Sequence, residues 1–182
     1  DPKKINNLHP IVKGGYQPFH CCKKGKPLTY RNRFKVQVAE GVVVEVPIED
    51  HKGLNNKAGK QRLLALHLLF QRMISYVKPA LEAAGEWGGR DGKATVIVTA
   101  CCPKADWRGY WDPGTKQIIL NIGLVDTKTN RPRTPIQLGA TYCHELAHHN
   151  TYGKERDPHG PKHQDETNHL RSIVEEYHNM MG

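Results

Sequence analysis

Residues 134–163 read TPIQLGATYCHELAHHNTYGKERDPHGPKH, and the organisation of the chain turns on this stretch. Thr134 and Gln137 have the spacing of a capping box, and Pro135 stands in the first turn, where its missing N–H has no helical partner to lose. Gly153 is positioned to stop the helix with a left-handed residue. The pattern predicts a helix over residues 134–152. Inside it lies His144-Glu145-Leu146-Ala147-His148, an HExxH motif. Residues four apart on a helix lie ~40° apart around the axis and ~6 Å apart along it, so His144 and His148 project from one face and can share a Zn²⁺ ion. Glu145, beside the first histidine, is placed to act as general base on a zinc-bound water. His149 projects ~100° away from His148 and is not expected among the ligands.

A catalytic zinc uses three protein ligands and keeps one position open. Three residues downstream are candidates for the third ligand. His159 sits in the rigid Asp157-Pro158-His159-Gly160-Pro161 turn, His163 follows four residues later, and Glu166 stands on the next predicted helix, residues 161–178. Leu170, Ile173, Val174 and Tyr177 would form that helix's apolar face.

Upstream, residues 61–84 carry apolar side chains at three- and four-residue steps from Leu63 to Val77, which predicts a long helix kinked or ended early at Pro79. Residues 93–99 and 116–121 read as strands, with a loop over 103–114 that holds Trp107, Tyr110 and Trp111. Residues 33–48 read as two strands around a turn at Glu40-Gly41. Strands and helices in this order define an α+β protein.

The chain has 182 residues and 11 histidines, with a net charge of +9. That charge is unevenly spread: residues 1–60 hold 12 Lys+Arg against 5 Asp+Glu, whereas residues 126–182 hold 7 against 8. Lys23, Lys24, Lys26, Arg31, Arg33 and Lys35, interleaved with Tyr16, Phe19, Tyr30 and Phe34, could hold nucleic acid through phosphates and stacking. A solvated basic face is the plainer reading of the same residues. No apolar run approaches the ~20 residues of a membrane span. The five cysteines, Cys21, Cys22, Cys101, Cys102 and Cys143, lack both CxxC and framework spacing, so the expectation is reduced thiols in an intracellular setting. Cys143 reads as a core residue.

His144-Glu145-Leu146-Ala147-His148 followed by His159-Gly160-Pro161 resembles the SprT-like (Spartan-type) zinc metallopeptidases, over roughly residues 61–178. The resemblance implies a minimal zincin-like domain at residues 59–182, with a small mixed sheet, a long helix and the HExxH helix, preceded by a basic β-rich segment at residues 1–58. It also implies zinc on His144, His148 and His159, with Glu145 as catalytic base and a protein or peptide as substrate. The chain departs from that family after HGP, where Lys162-His163-Gln164 stands in place of a nearby aromatic residue.

Hydrolysis of a peptide bond would use Tyr152, Tyr110 or Tyr177 as a further donor to the oxyanion, and the strand at 116–121 as a template for an extended substrate. The stretch from Trp107 to Trp111 would rim the cleft or plug the loop beneath it. Two other functions fit the sequence: a nucleic-acid-associated protease acting on DNA-bound proteins, and a non-catalytic, zinc-stabilised scaffold in a larger assembly.

Overall fold

The computed structural model describes residues 33–39, 42–47, 57–99, 108–122, 125–126 and 131–182. Their elements are β1 (Arg33–Ala39), β2 (Val42–Pro47), α1 (Lys57–Ala83), β3 (Thr95–Thr99), β4 (Gly109–Asp112), β5 (Gln117–Asn121), β6 (Val125–Asp126), β7 (Arg131–Pro132), α2 (Pro135–Thr151) and α3 (Pro161–Met181). The protein is α+β, with three helices among the described residues and a small mixed sheet in the order β3-β5-β4. No helix among these residues is long and apolar enough to cross a membrane.

The chain divides into two compact units, with boundaries inside α1, β3 and β5 and after the first residue of α2. The first contains the β1–β2 hairpin, α1 as far as Arg72 and the short β6–β7 pair. Phe34 stands opposite Val46 and Val36 opposite Val44 in the hairpin. The basic clusters at Lys23, Lys24, Lys26 and Arg31, and the Cys21-Cys22 and Cys101-Cys102 pairs, lie outside the described residues.

The second unit joins α1 from Met73 to β4, to β5 as far as Leu120, and to α2 and α3. Its core brings together Met73, Val77 and Leu81 of α1, Ile118, Ile119 and Leu120 of β5, Leu138, Tyr142 and Leu146 of α2, and Leu170 and Val174 of α3. Ile118, Ile119 and Leu120 are consecutive and all buried, so both faces of β5 are covered and the run does not alternate.

Three sequence expectations change. α1 begins at Lys57 and runs four residues past Pro79, which is exposed and inside the helix. The packing of Val77, Ala80 and Leu81 outweighs the one helical hydrogen bond that Pro79 cannot make. Residues 109–112, read as loop, are strand β4, paired antiparallel to β5 with Gly109 opposite Leu120 and Asp112 opposite Gln117. Consequently β5, at 117–121, lies between β3 and β4 among the described residues, with β4 on one side of it.

The glycines at element ends permit the tight packing. Gly153 has φ +74, ending α2 as its position suggested. Gly139 of α2 meets α1: a Cβ there would stand 2.8 Å from Cγ1 of Val77.

Candidate metal centre

α2 buries one face through Leu138, Tyr142, Cys143, Leu146 and Ala147, which fixes the direction of the rest. His144 and His148 are half-buried and Glu145 is 5% exposed. His144 Nε2 lies 3.7 Å from Glu145 Oε1. Cys143, as expected, packs in the core, and burial pushes its thiol up to about 12.

The segment between α2 and α3 is tied down by Glu155. α3 starts at Gly160-Pro161, whose N-cap residue offers no side chain to its first amides. Glu155 supplies the missing acceptor: its carboxylate receives the His163 N–H at 2.9 Å and the Lys162 N–H at 3.3 Å. Gly160 has an ordinary φ of −74, so its value here is room, since a Cβ would collide with the Glu155 carboxylate. Inside this loop the Asp157 side chain accepts the His159 N–H at 2.9 Å, and Gln164 donates to the His159 carbonyl at 3.2 Å.

The result is a cluster of four imidazoles. Ring centres of His144, His148 and His159 are 5.0, 5.5 and 4.7 Å apart. His163 adds centres 4.5 Å from His144, 3.9 Å from His148 and 5.3 Å from His159. Imidazoles bound tetrahedrally through nitrogens at ~2.0–2.1 Å from a metal hold their ring centres roughly 5 Å apart, so the spacing fits a metal ion. Ligand nitrogens of His144, His148 and His163 all lie within 4.8 Å of one another, a set that by itself could hold a metal ion and that does not include His159. The two measures differ over the third ligand. The centroids favour His159, because a ring stacked at 3.9 Å on His148, as His163 is, is closer than two ligands of one tetrahedral ion stand. Imidazole donors suit zinc, copper, nickel and iron, so the cluster alone does not choose the metal.

The electrostatics prepare the histidines for a cation. Burial, reinforced by the neighbouring imidazoles, lowers His144 to about 4 and His148 to about 3, so both are neutral at neutral pH with lone pairs available. Burial alone raises Glu145 to about 7, the range in which a carboxylate both accepts and releases a proton near neutrality.

These residues stand at the wall of a cavity of about 590 Å³, lined by His144, Glu145, His148 and His159 on one side and by Tyr110 and Trp111 of β4 on another. Trp111 meets Tyr152 edge-on at 5.0 Å and His149 at 5.5 Å, so it rims the cavity and also braces α2. Tyr110 and Tyr152 line the cavity. Tyr177 does not; its ring pairs with His178 instead.

Glu166 is removed from the ligand candidates. Its carboxylate receives two contacts of 2.8 Å from Arg90 and one of 3.2 Å from Asn150. The His149 side chain is only 4% exposed and pairs through Nε2 with Asp91 at 2.7 Å. The residues that sequence reasoning missed are Glu155, which accepts the backbone N–H groups of Lys162 and His163, and the 85–92 loop that holds His149, Asn150 and Glu166. The Gly-rich composition of that loop, with Gly85, Gly88, Gly89 and Gly92 all at positive φ, was the available signal. Comparison with protein-family profiles, curated proteins and solved structures found no match to this chain.

Proposed function

We propose that this chain is a zinc-dependent metallopeptidase of zincin-like architecture, its metal carried by His144, His148 and His159. The carrying observation is the convergence of the HExxH residues His144, buried Glu145 and His148 with His159 at the wall of one cavity. Zinc held there would polarise the scissile carbonyl and acidify water. Glu145 takes the proton from the attacking water and returns it to the leaving amine, a role that its raised proton affinity suits. β4, whose Gly109, Tyr110 and Trp111 line the cavity, would flank an extended peptide there, in place of the 116–121 strand expected from sequence. Tyr110 and Tyr152 remain the candidate donors to the oxyanion.

The test is hydrolysis of an unstructured protein such as casein by the zinc-loaded chain. Glu145→Gln should abolish cleavage with zinc still bound at one equivalent. Cleavage by that variant at the original rate overturns the reading.

A further inference from the structure

His163 is the buried polar side chain that the peptidase reading leaves unused. It is 2% exposed and heads the buried face of α3, in line with Thr167, Leu170 and Val174. Glu155 receives its backbone N–H at 2.9 Å, so backbone and side chain are both held. Its one ring touches both histidines of the HExxH motif. It lies face to face with His148, the ring centres 3.9 Å apart and the planes 22° from parallel. It meets His144 edge-on, with the centres 4.5 Å apart and the planes at 81°. Its Nε2 stands 3.0 Å from the His144 carbonyl oxygen, and a carbonyl can only accept, so Nε2 carries the proton. In an α-helix the carbonyl of residue i accepts the N–H of residue i+4, so the His144 carbonyl is the one that closes the turn to His148. The bond from His163 therefore falls on the turn that sets the two HExxH rings side by side. The same contacts bring a His163 nitrogen within 4.8 Å of those of His144 and His148.

We propose that His163 is a positioning residue for the metal centre: its ring stacks on His148 and its N–H clamps the turn between the two HExxH histidines, while the ion sits on His144, His148 and His159. The inference rests on the reading of the cluster as a metal centre. A ring stacked on His148 holds that imidazole in one plane before the ion arrives, so less side-chain freedom is lost on binding. Metal sites hold their ligands by such outer contacts, whose loss costs about 10–100-fold in affinity. The stack also keeps His163 off the ion, because two ligands of one tetrahedral centre stand farther apart than 3.9 Å.

The two contacts can be removed separately. His163→Phe keeps the ring and loses the donor, His163→Gln keeps a donor amide and loses the ring, and His163→Ala loses both. The experiment is nitrogen-15 NMR of the histidine rings in the zinc-loaded full chain, with competitive zinc titration of the parent and these variants, each shown to be folded by circular dichroism. On zinc addition, ring nitrogens of His144, His148 and His159 should take metal-bound shifts, while His163 keeps a protonated Nε2 and a metal-free Nδ1. His163→Ala should bind one zinc about 10–100-fold more weakly than the parent, and His163→Phe and His163→Gln should each recover part of that loss. A metal-bound signal from His163 in the parent overturns the proposal by making the residue a ligand. So does a folded His163→Ala that binds zinc as tightly as the parent, since the residue then serves the fold alone. Hydrolysis is a separate readout: the expected shifts and affinities on a chain that cleaves nothing keep this inference and sink the peptidase reading, while cleavage with zinc affinity unchanged in His163→Ala does the reverse. A chain that takes up no zinc overturns both.

Discussion

Glu145 and the two HExxH histidines respond to burial in opposite directions, and this gives the metal-free protein a distinctive pH dependence. His144 and His148 fall from 6.5 to about 4 and about 3, so between pH 4.5 and 6.5 the unfolded chain holds up to two protons that the folded one does not. Glu145 rises from 4.5 to about 7, so over the same window the folded chain holds one proton that the unfolded one lacks. Stability rises with pH wherever the unfolded state binds more protons, so these three groups together raise it across this window. Glu145→Gln deletes the opposing contribution and should make the rise steeper, as measured by urea midpoints of the zinc-free protein at pH 4.5, 5.5 and 6.5. An equal or shallower slope would show that Glu145 is ionised in the folded state. Cys143 supplies a second check at this scale. Buried, with its thiol pushed up to about 12, it should resist iodoacetamide at pH 8 in the native protein and react once unfolded, read by peptide-resolved mass spectrometry. None of these values is legible in HELAHH. The motif names the candidate ligands, while the burial that sets their proton affinities comes from the packing of the other face of α2.

Elements meet here at a few points where one atom decides the fit. Gly139 lets α2 approach α1, with Val77 Cγ1 2.8 Å from any Cβ placed there. Gly139→Val should lower stability by about 1–3 kcal/mol, because overpacking adds to the loss of helix propensity for a β-branched residue. A chemical denaturation curve with unchanged slope and a lower midpoint is the expected readout. Glu155 is the corresponding point for the loop and α3. Glu155→Ala removes the acceptor from two first-turn amides and should cost about 0.5–2 kcal/mol, with Glu155→Gln retaining most of the stability through its amide oxygen. Because the same loop carries His159, Glu155→Ala should also weaken zinc binding, and Glu155→Gln much less. The sequence marked the helices well, since 3.6-residue periodicity and end signals are local. β4 was missed for the converse reason: Gly-Tyr-Trp-Asp has no period of its own, and it becomes a strand through pairing with β5 across the Asp112–Lys116 turn.

At the scale of the molecule, a metal ion held by the histidine cluster would join α2 to the segment before and within α3, so its binding should register in global stability. Ligand linkage gives about 2.7 kcal/mol of added stability at free zinc 100 times the Kd. Removing zinc with a chelator should lower the melting temperature, and re-addition should restore it. A melting curve indifferent to zinc would separate the histidine cluster from any metal. The sequence by itself determined the α+β class, the long helix, the HExxH helix with its boundaries, and the candidacy of His144, His148, His159 and His163, because periodicity, capping and i,i+4 geometry act within a few residues. Only the tertiary structure decided that Glu166 is captured by Arg90, 76 positions away, that His163 is buried with its Nε2 on the His144 carbonyl, and that the 117–121 strand lies between β3 and β4 among the described residues. Those outcomes depend on contacts between distant segments, whose stabilities are set by which surfaces are buried together and leave no trace in local spacing.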